Sequence, residues 1–144
     1  MPDWVDKGFD SYARRLPQSL LRLKEIPLGN RGAGADVEKA RRVEGERLVA
    51  AIPKNSTVVA LECAPASWST QKLVEKLKGW MLDGRDVALL VGGPDGLSAH
   101  SLQKAEIKWS LSALTLPHGL VRVVVAEQLY RAWATLNNHP YHRA

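Results

Sequence analysis

The stretch "VALLVGGPDGLS", Val87 to Ser98, decides the fold. An unbroken apolar run leads into Gly92-Gly93-Pro94-Asp95-Gly96, three glycines and a proline in five positions. The run from Asp86 to Val91 reads as a buried strand, covered on both faces. Glycine tolerates positive φ and lets another group approach the main chain closely. The cluster therefore marks either a turn that only joins strand to helix, or a turn whose amides and carbonyls line a pocket. Two phosphate-binding fingerprints do not fit. The glycines fall as G-G-x-x-G rather than G-x-G-x-x-G, and G-x-x-x-x-G-K-[ST] is absent. Neither a Rossmann dehydrogenase nor a P-loop NTPase is favoured.

Working outward, the same alternation of strand and helix recurs. "TVVALE" (Thr57 to Glu62) is rich in β-branched residues and predicts a second buried strand. Between the two strands, Ser69 or Thr70 is placed to cap a helix. Leu73, Leu77, Trp80 and Met81 share its apolar face, and Asp83-Gly84 stops it. Upstream, Asp36 is placed to cap a helix running to about Ala51, with Val37, Ala40, Leu48 and Ala51 on one face and Arg41 and Glu44 close to it. "GNRGAGA" (Gly29 to Ala35) is a loop, and "LRLKEIPL" (Leu21 to Leu28) alternates like a strand. Near the start, Val5, Phe9, Tyr12, Ala13 and Leu16 recur at helical spacing, with Asp3 as cap and Pro17 as terminator. Strands alternating with helices argue for an α/β fold with a largely parallel sheet and helices on both faces. In such sheets ligands sit at the carboxyl ends of the strands, where the glycine cluster lies.

The C-terminal third carries the remaining signals. "LSALTL" (Leu111 to Leu116) reads as a strand or extended loop that Pro117 breaks. From about Leu120 a helix follows, with Val121, Val125, Leu129, Ala132 and Leu136 on its apolar face. Glu127 and Arg131 stand four apart with the acid first, the favourable helical order. The chain closes on "NNHPYHRA" (Asn137 to Ala144). Termini commonly fray. Yet a histidine exchanges protons near neutral pH, tyrosine can stack on a base, and arginine can hold phosphate.

Totals bound what these pieces can do. The chain has 144 residues, which suits a single domain (1–144) with a core of its own. Its net charge of +5 favours a polyanionic partner, although a basic protein can also lack one. No apolar run is long enough for a bilayer, no signal peptide is evident, and no metal-ligand spacing occurs. Cys63 is the sole cysteine, so an internal disulfide is excluded; this fits a reducing cytoplasm. Nothing near Cys63 marks it as a nucleophile.

Taken together, "MPDWV", "KGFDSYARRLP", "EIPLGNRG", "EGERLVAAIP", "LDGRDVALLVGGPDGL", "WSLSALTLPHGLVRVVVAEQLYRAW" and "NHPYHRA" resemble the RlmH family of bacterial 23S rRNA pseudouridine N3-methyltransferases, in the SPOUT superfamily. The order of the motifs, rather than any one of them, carries the match. The resemblance implies an α/β SPOUT-type sheet with a C-terminal trefoil knot, a cytoplasmic homodimer, and S-adenosylmethionine bound in the knot. By motif, Leu61, Gly93 and the segment Ser112, Ala113, Leu114, Thr115, Leu116, Pro117 would form the cofactor pocket. The implied substrate is a pseudouridine in 23S rRNA of the large subunit, methylated on the assembled ribosome. Its protonated imide N3 is a poor nucleophile, so a base or an anion-stabilising donor is needed, together with in-line positioning of the methyl. The resemblance makes Tyr141, His142 and Arg143 the closing residues. His142 is then the favoured proton acceptor, Tyr141 stacks or hydrogen-bonds, and Arg143 holds phosphate or steadies the anion. His118 is the second acid–base candidate, and Arg131 is expected to orient substrate or tail.

The chain departs from the family in three places. The family opens with a β-strand before the stretch matching "MPDWV", so a sheet lacking that first strand is expected. Cys63-Ala64-Pro65-Ala66 stands where a glycine turn is usual, and Gly119 stands where a larger residue is common. The missing first strand gives the alternative reading, an rRNA- or ribosome-binding α/β module without activity. A small-molecule enzyme would leave the basic charge and the His-Tyr-Arg ending unexplained.

Overall fold

β1, Thr57–Leu61, is buried at every residue and forms the middle of a parallel sheet ordered β2-β1-β3. β2 is Val87–Val91 and β3 is Ile107–Trp109. The computed structural model describes residues 2–17, 20–27, 29, 32–62, 67–112 and 114–143, except the side chains of His142 and Arg143. The register pairs Leu61 with Val91 on one side and with Trp109 on the other. All three strands thus end level, at the same edge of the sheet.

Side chains of β1 alternate between two layers, as the period of a strand requires. Val59 and Leu61 join Leu73, Val74 and Leu77 of α3 (Thr70–Asp83) and Val125, Leu129 and Ala132 of α5 (His118–Leu136). Val58 and Ala60 join Leu90 and Leu97, packed against Leu48 of α2 (Val37–Ala51) and Leu102 of α4 (Ala99–Lys104). α1 (Asp3–Ala13) lies on α5 and buries Val5 and Phe9.

Local chemistry fixes most boundaries. The Asp36 carboxylate accepts from the amides of Glu38 and Lys39 at 3.0 and 3.2 Å, satisfying orphan donors at the start of α2. Ser69, not Thr70, caps α3 by accepting from Lys72 N at 3.1 Å. Gly84 ends α3 with φ +78°. Glu44 sits in the buried face of α2 because its carboxylate accepts from Gly29 N at 2.7 Å.

Several expectations are corrected. Asp3 does not cap α1; Pro2 holds the cap position, and Asp3 instead pairs with Lys7 at 3.0 Å. α1 stops at Ala13, ahead of Pro17, in a turn closed by Arg15 N donating to Tyr12 O. Met81 is 49% exposed, and Val74 takes its place in the apolar face. Val37 is likewise exposed. Residues 21–27 form no strand, for no ladder partner stands beside them among the described residues. Arg122 holds Glu25 at 2.6 Å and Arg47 donates to Pro27 O at 2.9 Å instead. A groove of about 1210 Å³ separates this segment from β2. β2 is accordingly half-buried except at Leu90, not covered on both faces as its apolar sequence implied. α4 and β3 have no counterpart in the sequence reading. Leu28, Asn30, Arg31 and the Cys63–Ala66 loop lie outside the described residues.

Candidate functional site

Level strand ends build the floor of a cavity of about 790 Å³: Leu61, Val91 and Trp109 all face it. This is the position at which open parallel sheets bind ligands. The larger groove runs along the β2 edge of the sheet and reaches the end of that strand alone, whereas the smaller cavity lies over the ends of all three strands and is the stronger candidate.

Two loops complete the walls. After β2 the chain folds into a turn in which Gly96 N donates to Gly93 O at 3.0 Å. Gly96 has φ +80°, a conformation that L side chains rarely adopt. At Gly92 a Cβ would stand 2.5 Å from Gly96 C and 2.7 Å from Leu97 N. The turn therefore closes directly over a residue with no side chain. This answers why glycines crowd the end of the apolar run. After β3 the buried Ser110 hydroxyl donates to Ser112 O at 2.8 Å, and Ser112 Oγ accepts from Leu114 N at 3.0 Å. The segment is thus a hydrogen-bonded loop, not a strand, and Pro117 caps α5, which starts at His118 rather than Leu120. Gly119 is buried in the first turn of that helix.

The structure brings Leu61, Gly93, Ser112, Leu114, Thr115, Leu116, Pro117 and His118 to this one cavity. Ala113 is outside the described residues. Trp109 and Arg41 escaped the sequence reading. Trp109 ends a strand of only three residues. Arg41 reaches over from α2, donating to Asp95 O at 3.3 Å and to Glu38 at 2.7 Å. Its place beside the apolar face of α2 was the available signal.

The closing residues lie elsewhere on the same chain. Asn138, at φ +56°, reverses the chain after α5, and His139 N donates to Ala134 O at 2.8 Å. Pro140–Arg143 then forms a 3-10 turn. The Tyr141 ring lies 4.7 Å from that of Tyr130 and 6.4 Å from that of Tyr12. The Arg131 guanidinium stands 5.0 Å from the Tyr141 ring centre. Arg131 also donates to Glu127 at 2.9 Å, in a pair whose side chains are about one-fifth exposed. That hydrogen bond raises the Arg131 pKa. The pair is more sheltered than the solvated surface bridge its spacing alone would give. Burial, followed by the hydrogen bond with Tyr12, pushes the Tyr141 phenol up to about 12. Tyr130 is nine residues beyond Val121, the last residue of α5 at the cavity wall, about 14 Å along a helix that rises about 1.5 Å per residue. Within one chain, then, the cavity and the closing turn are far apart. The side chains of His142 and Arg143 lie outside the description.

Among the described residues no helix is long and apolar enough to cross a membrane, and no group of three or more His, Cys, Asp or Glu could hold a metal ion. The sequence model of the family described as "Predicted SPOUT methyltransferase" matches residues 1–142. The chain belongs to the SPOUT methyltransferase family. Methyltransferases of this family generally use S-adenosylmethionine. The residues present suit such a ligand. The cavity falls within the size range of small-molecule sites, and its two loops offer main-chain polar groups beside apolar walls.

Proposed function

We propose that the chain transfers a methyl group from S-adenosylmethionine to N3 of a pseudouridine in 23S rRNA of the large ribosomal subunit. The observation that carries this reading is the convergence of three strand ends, the glycine turn and the Ser112–Pro117 loop on one cavity. S-adenosylmethionine supplies an electrophilic methyl group when bound. Leu61 and the main chain of the glycine turn would flank the adenosine end, with the 112–117 loop opposite. The net charge of +5 supports a polyanionic substrate such as rRNA.

The imide proton of N3 must leave for the nitrogen to attack. His142 is the favoured acceptor, with His118, already at the cavity wall, as the second candidate. Arg143 would hold phosphate or stabilise the imide anion, Tyr141 helps to close the site, and Arg131 orients substrate or tail. Because the turn of one chain lies far from its own cavity, a homodimer is the natural arrangement, with each chain's ending closing its partner's site. The remaining parts of the reading are a single 1–144 domain, a knotted cofactor cradle and a cytoplasmic location.

Calorimetry with S-adenosylmethionine tests the cavity. One molecule bound per chain, lost on replacing the glycine turn, is the expected result. A protein that binds rRNA but no cofactor would be a ribosome-binding module instead.

A further inference from the structure

The last residues of a domain usually fray unless something ties them down. Here the closing turn is tied to two helices at once. Asn138 adopts the left-handed conformation that asparagine tolerates, which directs Pro140–Arg143 back along α5. Tyr141 then enters a cage. Tyr130 of α5 meets it edge to face at 4.7 Å, Tyr12 of α1 meets it edge to face at 6.4 Å, and Arg131 of α5 stands 5.0 Å from its ring centre. The cage has its own supports. Tyr12 and Tyr130 are 6.4 Å apart, the Arg15 guanidinium lies within 5.3 and 5.6 Å of their ring centres, and Glu127 fixes Arg131 at 2.9 Å. Edge-to-face rings and cations over rings are favourable geometries that set direction as well as distance.

We infer that Tyr12 and Arg131 are positioning residues that clamp Tyr141, and through it hold the closing turn in a fixed place on the α1–α5 surface. Tyr141 is then the anchor of the turn rather than a residue that stacks on the substrate base, because its ring is already engaged on several sides. The raised pKa agrees with this, since burial of the phenol and its hydrogen bond with Tyr12 both favour the neutral form. The consequence for catalysis rests on the function proposed above: residues 142 and 143 can act on a substrate only if the anchor sets where the turn ends.

The clamp can be read without any activity assay. Hydrogen exchange at the backbone amides of His139, Tyr141, His142 and Arg143 is compared in wild type, Tyr12→Ala, Tyr12→Phe and Arg131→Gln, with a thermal melt of each. Local opening controls exchange at such sites. Tyr12→Ala and Arg131→Gln should each speed exchange there by about ten-fold or more while the amides of β1 keep their protection; Tyr12→Phe, which keeps the ring, should change it less. Unchanged exchange in both Tyr12→Ala and Arg131→Gln would overturn the clamp. The same variants, assayed for methyl transfer to ribosomes, should lose kcat/KM for the ribosome while cofactor affinity stays within about two-fold, with Tyr12→Phe partly rescuing. An equal loss of cofactor affinity would instead assign Tyr12 a general structural role and overturn the positioning one. If exchange responds as expected but wild type transfers no methyl group to ribosomes, the clamp stands and the proposed substrate falls.

Discussion

Replacing Gly92 with alanine tests the core of the site. A Cβ there would lie 2.5 Å from Gly96 C, 2.7 Å from Leu97 N and 2.8 Å from Gly96 Cα. All three neighbours are main-chain atoms, so no side chain can swing aside. Restoring ordinary contact at about 3.4 Å requires the turn to open by roughly 0.9 Å. Overpacking of this kind costs about 1–3 kcal/mol. For a chain of this size that corresponds to a fall in Tm of roughly 3–10 °C. A shift near 1 Å in a positioning loop can also cost about a hundred-fold in turnover. Calorimetry should find cofactor affinity reduced by about ten-fold or more, equivalent to about 1.4 kcal/mol. An alanine variant that melts with wild type and binds the cofactor within about two-fold would refute the reasoning, because the turn would then not close over Gly92.

Other outcomes follow from the same geometry. Gly45→Ala should destabilise by roughly 2–4 kcal/mol in a denaturant melt, since its Cβ would meet Ser98, the residue that caps α4. Ser69→Ala should cost about 1 kcal/mol through loss of the α3 cap, with cofactor affinity unchanged. The folded chain holds the Tyr141 proton more tightly than the unfolded one. Its contribution is therefore fully present below pH 10.0 and is lost as pH rises towards about 12. Melts across that window should show a decline that Tyr141→Phe reduces; an identical decline in the variant would count against the raised phenol.

The alternation of apolar strands with capped helices was legible because each signal is local. Asp36, Ser69 and Gly84 mark boundaries through hydrogen bonds or backbone angles within a few residues. The alternating segment 21–27 misled for the opposite reason. Its pattern describes a strand, but strand formation depends on a neighbour, and residues 21–27 are tied by Glu25 and Pro27 to Arg122 and Arg47 instead. β3 was missed because three residues carry too little periodicity. At the site, the glycine cluster and the 112–117 segment could be found by composition and motif. Their meeting with Leu61 and Trp109 could not, because it depends on the sheet register. Arg41 and Tyr12 were also hidden. One lies 54 residues from the carbonyl it touches, and the other meets a ring more than a hundred positions away through helix packing.

The central claim is tested most directly by methyl transfer from labelled S-adenosylmethionine to ribosomes isolated from a strain that lacks this modification. The account predicts label in 23S rRNA, on N3 of a pseudouridine, and none in ribosomes made without pseudouridine. Equal labelling of both ribosome preparations, or none in either by a protein that binds the cofactor, would contradict it.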